Sequence, residues 1–180
     1  MAGRANARPA TPRPALLLAI AALICMACGL GGSRTAPAPS LSPPWSSEIY
    51  PYELTLPPNW VAHGAVTDED LFESADGNFR LKVGSGMPEL GQTVAERVRV
   101  NRGGEEFARC ESDPGRDREL SVGGEPGILW FFRCATVPGV AANTIHGGVG
   151  YRLTLRGTAD VASELEHTLV GLISGFVFTD

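Results

Sequence analysis

Lysine is almost missing from this chain. Among 180 residues Lys82 is the only one, and the formal net charge is −5. Nucleic acid calls for clustered Lys and Arg, and an anionic lipid surface calls for a polybasic segment, so neither partner is expected. Histidine is scarce too, with His63, His146 and His167 the whole set. Catalysis would need one of them against a nucleophile and oriented by a third group. His167 falls beside Glu164 and Glu166 on the polar side of a helical pattern, and His63 and His146 lie near glycines in expected loops. All three read as surface residues. Phosphate-cradling and nucleophile motifs are also missing. Gly84-Ser85-Gly86 lacks Gly-x-Ser-x-Gly spacing, and Gly147-Gly148-Val149-Gly150 fits neither GxGxxG nor GxxxxGK[ST] and reads as a glycine turn. Asp68-Glu69-Asp70 lacks the ligand order of an EF-hand and reads as a solvated loop. No catalytic residue, no metal ligand and no cofactor is assigned.

Long hydrophobic runs are limited to one. A membrane-crossing helix needs ~20 apolar residues, and Ala15–Leu30 stops short of that before Gly31 and Gly32. The run is preceded by Arg4, Arg8 and Arg13. A positive segment, a short apolar core and small residues at its end make an export signal rather than a retained span. The ending Ala27-Cys28-Gly29 resembles a bacterial lipobox, although Cys25 and Met26 stand where Leu and a small residue are usual. The resemblance implies cleavage after residue 27 and acylation of Cys28, with several acyl chains supplying a stable anchor. No adjacent arginine pair is present, which points to the general secretory route. Losing the three leader arginines makes the exported remainder more acidic still.

Cysteine usage then becomes informative. Of four cysteines, Cys25 leaves with the leader and Cys28 goes under lipid. Cys110 and Cys134 remain. Outside the reducing cytosol an even pair reads as one disulfide, closing a loop of about 25 residues for an estimated ~3–4 kcal/mol. Two buried free thiols are the alternative. A metal pair is disfavoured because no second Cys or His lies at ligand spacing.

From residue 28 to 47 Gly, Ser and Pro dominate without an apolar period, the composition of a semi-extended tether. Residues 48–180 are long enough for one domain with a sizeable core. Tyr52–Leu56 alternates as a strand and stops at Pro57-Pro58, leaving Asn59-Trp60 in a loop. Leu71–Ala75 and Phe79–Val83 flank Asp76-Gly77 and form a hairpin. Thr93 and Glu96 make a capping box for a helix to about Asn101, with Leu90, Val94 and Val98 on one face.

Gly103-Gly104 ends that helix. Phe107–Glu111 and Leu120–Val122 read as strands, and Asp113-Pro114-Gly115 as a turn. Ile128–Phe132 is apolar on both sides, with Trp130 and Phe132 on one face and Phe131 on the other. Gly150–Leu155 alternates as a strand. Val161, Leu165, Leu169, Leu172, Ile173 and Phe176 trace one helical stripe behind an Asp160 cap, and Gly175 delivers a last strand, Phe176–Phe178. Two helices with a mostly antiparallel sheet of about six or seven strands predict an α+β domain. If any face is incompletely covered, Trp60 and Tyr151 are the candidates to line a shallow pocket.

The order of these elements resembles the PsbP-like domains. Tyr52–Trp60 (YELTLPPNW) looks like their opening, followed by the hairpin, the Thr93-Val94-Ala95-Glu96 helix start and Val122-Gly123-Gly124 before a hydrophobic strand. A Tyr151-containing strand and a C-terminal helix leading into Ser174–Phe178 complete the series. The resemblance spans Tyr50–Asp180 and implies a three-layer α/β/α sandwich around a central antiparallel sheet. It further implies a domain acting by binding other proteins, with no shared catalytic set. The expected role is therefore an exported, membrane-tethered lipoprotein on the extracytoplasmic face, a non-catalytic accessory module with an envelope protein as partner. A carrier of a small apolar ligand and an extracytoplasmic hydrolase are the competing readings.

Overall fold

Asp76 and Gly77 reverse the chain as their spacing predicts. Gly77 takes φ +72°, and the Asp76 carboxylate accepts from the Ser74 hydroxyl and from both the backbone and side-chain N–H groups of Asn78. The structure, a computed structural model, describes residues 43–180. The expected leader (1–27), Cys28 and the expected tether as far as residue 42 lie outside the described residues.

The strands joined by this turn are β4 (Glu69–Ser74) and β5 (Phe79–Gly86). With β3 (Trp60–Val66), β6 (Cys110–Ser112), β7 (Arg118–Val122), β8 (Glu125–Cys134), β9 (Val137–His146) and β10 (Val149–Gly157) they form an eight-stranded sheet in the order β3-β4-β5-β10-β9-β8-β6. β8 is long enough to pair with β7 along its first half and β6 along its second. A separate three-stranded sheet joins β1 (Trp45–Ser46), β2 (Tyr52–Leu54) and β11 (Phe176–Phe178). Every pairing is antiparallel. The class is α+β with two α-helices, as the patterns predict. The sheet is larger than the six or seven strands expected, and strand content dominates.

Three strands escape local reading, β1 because it falls inside the expected tether. β9 runs through the middle of the sheet, yet its sequence, VPGVAANTIH, carries Pro138 and Gly139 and few β-formers. Pairing on both edges and burial of Pro138–Thr144 override that weak propensity. β3 begins at Trp60, which was expected in a loop. His63 is the extra residue where the β3–β4 register shifts between Ala62 and Gly64, and Gly64 has φ +74°. Such a bulge hides the period of an edge strand. Conversely, Phe107 was expected in a strand but sits in a turn ahead of β6.

The capping box forms. Thr93 Oγ1 accepts from the Glu96 N–H at 3.3 Å, and Glu96 Oε2 accepts from the Thr93 N–H at 2.8 Å. It starts α1 (Val94–Gly103), which buries Val98. Leu90 was expected on the same face but is fully exposed in the preceding loop. α2 (Leu165–Ile173) is shorter than its apolar stripe. A 3-10 turn at Ala159–Val161 precedes it, so Asp160 does not cap the helix. Leu165, Leu169, Leu172 and Ile173 are buried as the period requires.

The two α-helices pack into different buried clusters. α2 and the small sheet cover the face carrying Phe72, Leu81, Val83, Leu153 and Leu155, the main core. On the other face Val98 of α1 meets Phe107, Trp130, Phe132 and Ala141. Trp130 and Phe132 share that face while Phe131 packs on the main core, which is the alternation predicted for β8. The folded part also starts before the expected boundary at residue 48. Trp45 pairs opposite Leu54 and stacks edge-on against Phe72 at 4.8 Å.

Candidate binding surfaces

The face under α1 is covered over β8 and β9, and Arg97 of α1 also reaches it at Gly86 and Gly150. Its other half, on β5 and β10, presents Arg80, Lys82, Arg152 and Arg156 instead of apolar side chains. Each faces a carboxylate: Arg80 meets Glu73 at 3.1 Å, Lys82 meets Glu69 at 2.7 Å, and Arg156 meets Glu106 at 3.3 Å. Arg152 bridges Glu69 and Glu106 and lies 5.1 Å over the Phe107 ring. Arg80, Lys82 and Arg156, with Thr154 and Glu106, line an open recess of about 350 Å³. Glu69 belongs to the acidic run expected to be solvated. Only Asp68 of that run is exposed, because Glu69 and Asp70 are the first residues of β4.

Asp70 is fully buried. Its Oδ2 accepts from the Tyr52 hydroxyl and the Ser47 hydroxyl, each at 2.6 Å. Burial, reinforced by the Asp70 bond and charge, pushes the Tyr52 hydroxyl far above the usual phenol range. This pair was not expected from sequence. The only signal was the inward alternation of Tyr52 in β2.

A second recess, about 300 Å³, opens near the end of β8 and is lined by Glu111, Arg116, Phe131, Arg133 and Leu165 among others. The Arg116 guanidinium covers Phe131 at 4.0 Å. Both recesses are open and charged at the rim. Neither is a closed apolar cavity.

The disulfide forms between Cys110 and Cys134. The two cysteines are opposite one another in the β6–β8 pairing, so the bridge fastens an edge strand to the sheet. The free-thiol alternative does not hold. Among the described residues no cluster of three or more His, Cys, Asp or Glu is placed to hold a metal.

Trp60 and Tyr151 do not meet in a pocket. Trp60 is half-buried and stacks on Phe79 with centroids 6.4 Å apart. Tyr151 is buried against Tyr50 and Phe178, and burial raises its hydroxyl pKa. Neither residue lines the two recesses. His167 is exposed on α2 as expected. His63 is on the β3 bulge rather than in a turn, 3.4 Å from Glu73.

His146 departs furthest from the surface-turn expectation. It ends β9 with its ring stacked parallel on Phe178, centroids 4.1 Å apart. Nδ1 lies 2.9 Å from Glu125 Oε1 and Nε2 lies 2.9 Å from Asp180 Oδ1. The Glu125 bond raises its pKa against some desolvation, and Asp180 adds to the rise. Both nitrogens lie within hydrogen-bond distance of carboxylates, so the ring links Glu125 of β8 to the Asp180 side chain. A general base needs a free nitrogen aimed at a nucleophile.

No family model matches the sequence, and no curated protein matches it. Solved structures do. Cyanobacterial PsbP (CyanoP) from Synechocystis superposes with a TM-score of 0.56 at 15% identity, covering 83% of this chain and 99% of that one. LpqN, described as involved in cell envelope biogenesis of Mycobacterium tuberculosis, matches with a TM-score of 0.48 at 12% identity, covering 72% of this chain and 83% of that one. The order of hairpin, helix, antiparallel sheet and C-terminal helix–strand unit, together with the near-complete cover of CyanoP, gives this domain a PsbP-like fold.

Proposed function

We propose that the chain is an exported lipoprotein, held by an acylated Cys28 on the extracytoplasmic face of a bacterial membrane, and that its domain is a non-catalytic accessory module binding an envelope partner. The observation that carries this reading is the Cys110–Cys134 bridge. A structural disulfide belongs to an oxidising compartment, where the residue 1–27 leader would deliver the chain. The layered reading, helix on sheet on helix, supports binding over chemistry. It fills both apolar faces with side chains and leaves open, charged recesses for recognition. The linking His146 supports the same reading. Among the described residues no helix is long and apolar enough to cross a membrane, so the described domain itself contributes no helical span to attachment.

Metabolic labelling with a fatty acid tests the tether. Label on the wild type and none on Cys28→Ala is expected; an unlabelled wild type would overturn it. Affinity purification of the tethered form from its own membranes tests the role. A stoichiometric envelope protein is expected, whereas substrate turnover abolished by one polar substitution would replace the binding reading with an enzyme.

A further inference from the structure

We propose that the recess between β5, β10 and the Glu106 loop is a binding site for a phosphate group, carried either by free phosphate or by a lipid headgroup. Three observations meet there. First, Arg80 and Arg156 are direct cross-strand partners, and Lys82 is opposite Thr154 on the same face. Like charges placed directly opposite destabilise a sheet; Glu73 and Glu106 offset part of that cost, and a bound anion would offset more. Second, Thr154 lines the recess, is only 2% exposed, and its Oγ1 has no hydrogen-bond partner among the described residues. Third, the Nε of Arg156 is buried and equally without a partner, although its Nη2 reaches Glu106.

Buried polar groups are normally satisfied, and Thr154 and Arg156, both of which line this recess, each keep one buried polar atom without a partner among the described residues. The surrounding ion pairs do not exhaust the site. Arg offers five N–H donors and Lys three, while Arg80, Lys82 and Arg156 each give one bond to a glutamate. Such partly exposed pairs are weak and exchangeable. A carboxylate presents two acceptor atoms. A phosphate group presents more, and suits Arg forks, an ammonium and a hydroxyl converging from several sides. The recess, at about 350 Å³, has space for the group that bears the phosphate. The acidic balance of the chain as a whole makes this local arrangement of cations the more specific. The site stands independently of the tether.

The test is titration of the full-length protein in neutral detergent at constant ionic strength. One arm uses inorganic phosphate and the other a water-soluble short-chain phosphatidic acid, with NMR or calorimetric readout. Saturable binding in either arm is expected, and the arm with the lower Kd identifies the source. Arg156→Gln should weaken it roughly tenfold. Thr154→Val, close to isosteric and retaining the fold by circular dichroism, should weaken it about threefold or more. Binding in neither arm, or binding unchanged in folded Thr154→Val and Arg156→Gln, would overturn the proposal.

Discussion

The Tyr52 hydroxyl donates to Asp70 Oδ2 at 2.6 Å in the interior, and so joins the three-stranded sheet to the eight-stranded one. Ser47 donates to the same oxygen, while Asp70 Oδ1 has no partner among the described residues. Removing the phenol hydroxyl leaves a buried carboxylate with one donor fewer. Tyr52→Phe should therefore cost about 1–3 kcal/mol, read as a lower urea midpoint at constant m-value. An unchanged midpoint would show that the sheets are held by packing alone.

His146 makes stability depend on pH near neutrality. Its folded pKa is raised above the ordinary 6.5 by Glu125 and Asp180. The imidazolium's contribution is complete below the unfolded value and disappears as pH rises through the folded one. Thermal melts between pH 5 and 9 should show wild type losing stability relative to His146→Gln across that window. Salt should shrink the difference, since Asp180 is largely exposed. Parallel curves would refute the link.

The Cys110–Cys134 bridge closes a sequence separation of 24. Chain-entropy bookkeeping gives about 3.5 kcal/mol for such a loop. The Cys110→Ser, Cys134→Ser double variant should lose roughly that amount in denaturant titration, and reduced wild type should match it. Thiol alkylation of the oxidised domain without reductant should leave both cysteines unmodified.

Gly139 in β9 lies against the ring of Phe132. A methyl group built there would overlap that ring. Gly139→Ala should destabilise by about 1–3 kcal/mol through overpacking, and the double variant Gly139→Ala, Phe132→Leu should recover part of the loss. Failure to recover would place the strain in the backbone instead.

Much of the domain was legible because its signals are local. The Asp76-Gly77 turn, the Thr93–Glu96 box, the stripe of Leu165, Leu169 and Leu172, and the two-sided Ile128–Phe132 strand each follow from neighbours a few residues away. β9 was not legible, because Pro138, Gly139 and Ala141–Asn143 become strand only when β8 and β10 pair on both edges. β3 was lost to its bulge. The proposed phosphate site was invisible for the same reason: Arg80 and Arg156 are far apart in sequence and become opposite only through the β5–β10 register.

By itself, the order of residues determined an acidic α+β domain that carries Cys110 and Cys134, preceded by one apolar run. Those properties depend on composition and on periods that any short window displays. Which strands became central, which carboxylate was buried under Tyr52, and which cations were gathered beside Thr154 were decided only by the tertiary structure. The reason is that burial and pairing depend on partners that the chain brings together from a distance.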